Sequence, residues 1–157
     1  MTLFTQRPMG DAPGERGFCA KSWVESFSSS AMAELVSRQG AATGAATRWT
    51  VGQEYWSTWH ALVDALLDRG RTTVMVDEDG LLAGFLCWEP WDSAVCVHYV
   101  YVRALHRKRG VARLLLEALP GGPRYYTHRS RGIARVPEGW TYTLRPLIGA
   151  VRQREAA

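Results

Sequence analysis

No stretch of this chain approaches the roughly 20 successive apolar residues that cross a bilayer, so a membrane span is not expected. Met1 to Gly17 is polar and rich in Gly and Pro, without the apolar core of a signal peptide. Cysteine is scarce: Cys19, Cys87 and Cys96 are odd in number and lie in or near apolar segments. Buried, reduced thiols in a cytoplasmic protein are the expectation. No Cys/His spacing matches a zinc site, so no metal is expected. There is no Gly-x-Ser-x-Gly and no Cys/His pairing to support a serine or cysteine nucleophile. No internal repeat is present.

What the chain does have is enough apolar material for one core, at 46% of 157 residues. Its charge is lopsided. From Arg103 to the end there are 12 Lys/Arg against 3 Asp/Glu, and before Arg103 there are 7 against 12. A basic half of this kind attracts anionic cofactors, nucleic acid or acidic surfaces.

Hydropathy and turn signals give the element order. Met1 to Gly17 reads as a loose arm, followed by a single domain over 18–157. Ser22-Trp23-Val24-Glu25 has the form of a capping box, which predicts a helix from about Trp23 to Arg38. Gly40 to Thr47 reads as a small-residue loop. Tyr55, Trp56, Trp59, Leu62, Val63, Leu66 and Leu67 form one stripe at helical spacing, with Thr50 and Gln53 as a cap and Gly70 as the stop. Thr72–Val76 and Leu81–Trp88 flank the hairpin signal Asp77-Glu78-Asp79-Gly80. Pro90 to Ser93 predicts another turn, and Ala94–Val102 a third strand. A helix over Val111–Leu119 stops at Pro120-Gly121-Gly122-Pro123. Strands are expected at Arg124–Thr127 and Trp140–Leu147. The sum is an α+β, or mixed α/β, domain with a mostly antiparallel sheet flanked by helices.

The most informative stretch is His106-Arg107-Lys108-Arg109-Gly110-Val111-Ala112-Arg113, between the third strand and the helix that follows. Free backbone N–H groups at a helix start, ringed by arginines and a lysine, suit a phosphate or pyrophosphate. Gly110 lets the backbone come close to such a ligand, and Ala112 is small enough to do the same.

Arg107-Lys108-Arg109-Gly110-Val111-Ala112 resembles the Arg/Gln-x-x-Gly-x-Gly/Ala acetyl-CoA motif of the GNAT superfamily of N-acetyltransferases. Val102-Arg103-Ala104 stands where the family often has Val-x-Pro. The likeness runs over residues 18 to 127. More narrowly, Phe18 with Ser22-Trp23, His98 to Val102 and Thr127-His128 resemble small GNAT-like proteins of tailed bacteriophages. The resemblance implies acetyl-CoA as co-substrate, with Lys108 to Arg113 supplying amides to the pyrophosphate and Arg107, Lys108, Arg109 and Arg113 adding charge. It places Tyr101, Val102 and Arg103 on the pantetheine, where the family's fourth strand splays from its fifth. A backbone N–H there polarises the thioester carbonyl, as an oxyanion hole does.

The resemblance also implies a ternary complex in which a neutral amine attacks the thioester directly. Some relatives carry a glutamate early on the motif-bearing strand. Here that place falls near Cys96, a poor base. His98, two residues on and on the same face, is the nearest ionisable group, and imidazole is suited to proton transfer near neutrality. Glu89 is a second candidate. The family's acid is a tyrosine beyond the motif helix, for which Tyr125, Tyr126 and Tyr142 all qualify. Thr127, His128 and Arg129 are expected to line the acceptor site, in a C-terminal part shorter than the family's.

Two further readings compete. One is a GNAT-like phage protein that modifies nucleobases by other chemistry, with the basic C-terminal region (Arg129, Arg131, Arg135, with Tyr125, Tyr126, Trp140 and Tyr142) on nucleic acid. The other is a non-catalytic binding module. A homodimer paired through an exposed sheet edge is also compatible with the sequence.

Overall fold

The computed structural model describes residues 3–10, 12, 14–27, 48–128 and 136–147, with side-chain burial for all of these except 27 and 48–55. Six strands form one sheet in the order β1 (Thr5–Pro8), β2 (Arg71–Val76), β3 (Leu82–Trp91), β4 (Ala94–Val102), β5 (Arg124–Tyr126) and β6 (Thr141–Tyr142). Strands β1 to β4 are antiparallel, whereas β5 joins β4, and β6 joins β5, in parallel. Helices α1 (Glu15–Phe27) and α2 (Arg48–Arg69) cover one face, and α3 (Val111–Glu117) covers the other.

Each face buries its own cluster. Trp23, Val24, Val63, Leu66, Phe85 and Tyr99 fill the α1/α2 side. Met75, Leu86, Val95, Val97, Val111 and Leu115 fill the α3 side. The alternation of β3 and β4 feeds both, because successive strand residues point to opposite faces. Gly84 of β3 marks where α3 comes closest. A Cβ there would lie 2.5 Å from the Tyr101 carbonyl oxygen and 3.1 Å from Val111 Cγ1. Gly84→Ala is therefore expected to cost about 2 kcal/mol of stability, as overpacking of a dense core does. Urea unfolding checks this, and an unchanged midpoint would contradict it.

The strands and turns of the middle of the chain follow the sequence expectations. The hairpin closes with Asp77 N–H donating to Leu81 O at 2.9 Å, and Gly80 takes φ 76°. β4 runs over Ala94–Val102 as expected. The β3–β4 turn is tighter than the Pro90 signal suggested. Pro90 and Trp91 stay in β3, and Asp92 turns the chain at φ 53°. Gly70 ends α2, its N–H donating to Leu66 O at 2.7 Å.

The N-terminal expectations need correcting. Thr5–Pro8 is an edge strand rather than part of a loose arm. Its burial is slight, so no alternating apolar signal announces it. Ser22 does not cap a helix, because α1 already starts at Glu15. Glu15 accepts from the Gly10 N–H at 2.8 Å and from Arg7 at 2.7 Å, and an acidic group suits a helix's first turn. The remainder of the predicted first helix, residues 28–38, and the loop Gly40 to Thr47 lie outside the described residues. α2 begins at Arg48, so Thr50 lies within the helix rather than capping it. At the C-terminal end only Thr141–Tyr142 of the expected strand Trp140–Leu147 pairs with β5.

Candidate active site

β4 and β5 part company after a short ladder. Val95, Cys96 and Val97 pair with Arg124, Tyr125 and Tyr126, and Thr127 N–H donates to Val97 O at 3.1 Å. From His98 onward β4 has no β5 partner among the described residues. The register shows which backbone groups this frees. Arg103 N–H donates to Ala83 O at 2.8 Å, so alternate residues of β4 turn their amides toward β3. Tyr101 does so, and Val100 and Val102 point the other way, into the gap. Val102 O accepts from Arg107 Nε at 3.3 Å, which confirms the direction. Of the three residues expected on the pantetheine, Val102 offers an open amide, whereas Arg103 spends its own on β3. Val100 turns a second amide into the gap, and no local signal in the sequence singles it out.

Two cavities meet along this stretch, sharing Tyr99, Val100, Val102 and Ala112. The larger, of about 620 Å³, runs past Arg107, Lys108, Gly110 and Arg113. The smaller, of about 280 Å³, lies between β4, Tyr126 and Trp140 and is mostly apolar. At the larger mouth the basic loop is shaped by two left-handed residues, Lys108 at φ 63° and Gly110 at φ 83°. Arg107, Lys108, Arg109 and Arg113 are all exposed. Space beside Gly110 is open, since a Cβ there would first meet Arg113 Nη2, at 3.8 Å. Free amides, an unfilled backbone approach and a basic rim fit the pantetheine and phosphates of a CoA thioester.

A family model for the acetyltransferase (GNAT) family matches residues 32–120. The chain belongs to the GNAT family of acetyltransferases. Among solved structures, it is 35% identical to nourseothricin acetyltransferase over 31% of this chain and 30% of that one, with a TM-score of 0.29. A GNAT protein of Desulfovibrio desulfuricans named as a candidate acetyltransferase is 17% identical, with TM-score 0.42, over 73% of this chain and 62% of that one. The GNAT chain thus spans less than two thirds of either protein. A Pyrococcus furiosus protein named as a candidate acetyl transferase is 16% identical, with TM-score 0.52, over 73% of this chain and 70% of that one, and shares the fold. No curated protein matches the chain.

On the α1/α2 face of the GNAT sheet lies a chain of polar groups. Arg69, at the end of α2, grips Glu89 of β3 with two bonds, Nε to Oε2 at 2.7 Å and Nη2 to Oε1 at 2.8 Å. Arg69 Nη2 also donates to Pro146 O at 3.0 Å. Glu89 Oε1 lies 3.2 Å from His98 Nε2, off the axis of a formal hydrogen bond. His98 Nδ1 lies 3.0 Å from Thr127 Oγ1. Burial pushes the Glu89 carboxyl up, but His98 and Arg69 together outweigh it and hold the group below the ordinary carboxylate range. An ionised Glu89 favours the imidazole tautomer with its proton on Nε2, leaving Nδ1 to accept from Thr127.

A bulge places His98. Cys87 pairs with Tyr99, and the next β3 residue, Trp88, pairs with Val97, so β4 has one extra residue. His98 and Tyr99 consequently face the same side, and Trp23 stacks on both, at 6.4 Å and 5.2 Å between ring centroids. Two of the expected residues, Glu89 and His98, are brought together, and Thr127 joins them. Tyr126 and Tyr142 pack on each other at 5.4 Å, with Tyr126 lining the apolar cavity and Tyr142 partly exposed. Tyr125 packs on Trp91 at 5.0 Å. Arg129, Arg131 and Arg135, the basic part of the expected nucleic-acid surface, lie outside the described residues. The sequence missed Arg69, Ser26 and Tyr99, which carry no local motif. Cys96, near the glutamate position of some relatives, is buried with its thiol pushed up to about 12.

His128 lines the apolar cavity, its Nε2 3.0 Å from Ser26 Oγ and its ring 5.2 Å from Tyr99. Burial pushes its pKa down to about 4. The unfolded chain therefore takes up this proton first as pH falls from 6.5 to 4, so the folded state loses stability over that window and is fully stable above it. The loss attributable to His128 is about 3 kcal/mol. His128→Gln keeps a partner for Ser26 and is expected to flatten that part of the acid limb in urea unfolding. An acid limb identical to wild type would contradict the assignment.

Proposed function

We propose that this GNAT chain is an acetyl-CoA-dependent N-acetyltransferase that transfers the acetyl group to a primary amine by direct attack in a ternary complex. The observation that carries this reading is the splay of β4 from β5. It leaves the Val100 and Val102 amides open, in line with the basic Gly110 loop at one end and the His98–Glu89 pair at the other.

Each group has a task. Lys108 to Arg113 hold the pyrophosphate with backbone amides and charge, and Val100 and Val102 hold pantetheine and thioester oxygen. As the amine nitrogen bonds to the thioester carbon, its proton passes to Thr127 Oγ1 while the Thr127 hydroxyl proton passes to His98 Nδ1, with Glu89 stabilising the imidazolium that forms. Arg69 keeps Glu89 ionised and in place. Thr127 fixes the imidazole, while His128, held neutral by burial, lines the pocket beside it. Arg129 completes the acceptor side in this proposal. Of the three tyrosines considered as the acid for the departing thiolate, Tyr126 lines the α3-side cavity and packs on Tyr142, and Tyr125 packs on Trp91.

The decisive experiment incubates the protein with acetyl-CoA and a panel of primary amines and follows release of the free CoA thiol. Amine-dependent release with recovery of the N-acetylated product is expected. Absence of any thermal shift with either acetyl-CoA or CoA would overturn the proposal.

A further inference from the structure

Resting on the acetyl-transfer reading above, we infer that the acceptor is a weakly basic aromatic amine, bound as its uncharged free base in the apolar cavity beside Trp140. That cavity, of about 280 Å³, meets the cofactor cavity at Val100 and Val102. Val97, Leu116, Val136 and Pro137 line it, together with the rings of Tyr126 and Trp140. His98 lines it too, two residues from Val100 on β4, so an amine held beside His98 is within reach of a thioester held at the Val100 amide.

Charge selects the class. Among the described residues, no Asp, Glu, Lys or Arg lines this cavity, and no Asp or Glu lines the larger one. The nearby carboxylates are engaged or stand outside. Glu89 is gripped by Arg69 at 2.7 and 2.8 Å. Glu25 of α1 is exposed, 3.9 Å from Lys21, and Glu138 is exposed beside Pro137. An alkylammonium would therefore enter without a counter-ion, and a buried unpaired charge is costly. The cavity already shows this effect on one of its own groups, since burial pushes His128 down to about 4. An aromatic amine avoids the cost, because its lone pair is delocalised and it is uncharged at neutral pH. Its ring also finds aromatic partners in Tyr126 and Trp140. Pockets for drug-sized ligands run from roughly 300 to 1,000 Å³, so this one admits a compact one- or two-ring body. The phosphates of the cofactor have no cation here, and they belong to the larger cavity with Arg107, Lys108 and Arg113.

The step balances. The nitrogen lone pair forms the bond to the thioester carbon, and the C–S bond breaks with its electron pair on sulfur. The nitrogen loses one proton by way of Thr127 and His98, and His98 returns a proton to water. The thiolate takes one proton from water, so the net movement is one proton from amine to sulfur.

The test compares aniline with cyclohexylamine, which has the same six-carbon ring, and with spermidine, using acetyl-CoA at pH 7. Only about one part in 2,500 of an alkylamine with a lysine-like pKa is free base at that pH. The alkylamine is the stronger nucleophile and recovers part of this, so kcat/KM for aniline is expected to exceed the other two by about 100-fold. Val136→Phe, which narrows the cavity, should raise KM for aniline about tenfold and leave KM for acetyl-CoA within about twofold. Equal or better use of cyclohexylamine or spermidine would overturn the inference, as would an aniline KM unmoved by Val136→Phe. A raised KM for acetyl-CoA in place of aniline would give the cavity to the donor and overturn it too. The comparison of amines needs only the wild-type chain, so it decides the matter even if Val136→Phe fails to fold. A protein that releases no CoA thiol with any amine would defeat the parent reading, whereas transfer to spermidine in preference to aniline defeats only this inference.

Discussion

Glutamate in place of Gly110 is expected to weaken acetyl-CoA binding at least about 100-fold, or about 2.7 kcal/mol. Two effects act, and they separate. Gly110 sits at φ 83°, where any side chain is strained by about 1–3 kcal/mol. That strain is present with or without ligand and registers mainly as lost stability. The added carboxylate acts only on the complex. It would stand at the backbone approach to the phosphates, and two like charges 4 Å apart near a protein surface repel by about 4 kcal/mol. The repulsion therefore decides affinity. Gly110→Asn, which tolerates the left-handed region, should lose little affinity, and Gly110→Ala should lose stability more than affinity. Calorimetric titration with CoA measures all three. Equal affinity in the glutamate variant and wild type would remove the basic loop from the cofactor site.

Replacing His98 with glutamine is expected to lower kcat/KM for acetyl transfer by about 10²- to 10³-fold, the usual contribution of a positioned general base. Acetyl-CoA affinity should be unchanged, because in the proposed reaction His98 serves the amine and not the cofactor. Glutamine can still meet Thr127 Oγ1, which limits damage to the fold. The partner variant Glu89→Gln should cost less. It leaves the imidazole in place and removes the charge that stabilises imidazolium, but Arg69 then loses an anion gripped at 2.7 and 2.8 Å. Breaking a buried pair in this way is costly to stability, so the comparison needs an unfolding curve beside each rate. The double variant should lose little more than His98→Gln alone, since Glu89 acts through the imidazole. Additive losses would show that Glu89 works independently. Full activity in His98→Gln would transfer the base to another group.

Much of the cofactor side was legible in the sequence. The apolar run Ala94 to Val102, the Asp77–Gly80 hairpin and the Arg107–Ala112 motif are local patterns, and each rests on interactions within a few residues of chain. The turn chemistry of Gly80 and Gly110 belongs to those residues themselves, so it can be read in order. The edge strand Thr5–Pro8 was hidden because it buries little, and the first helix was placed late because the Ser22/Glu25 spacing imitates a cap.

The polar cluster around His98 belongs to tertiary structure. Arg69, Glu89, His98 and Thr127 come from α2, β3, β4 and the end of β5, and no periodicity links them. Ser26 meets His128 across 102 positions of sequence. Even on one strand the alternation rule was insufficient. It placed His98 on the face of Cys96 but sent Tyr99 to the opposite side, until a single extra residue in β4 brought both onto Trp23. By itself the sequence singled out the basic Gly110 loop as the candidate phosphate cradle, because such a cradle is built from consecutive backbone amides and neighbouring charges. Only the folded sheet decided which side chains gather around His98, because a bulge and a splay depend on how strands pair, and pairing joins residues far apart in the chain.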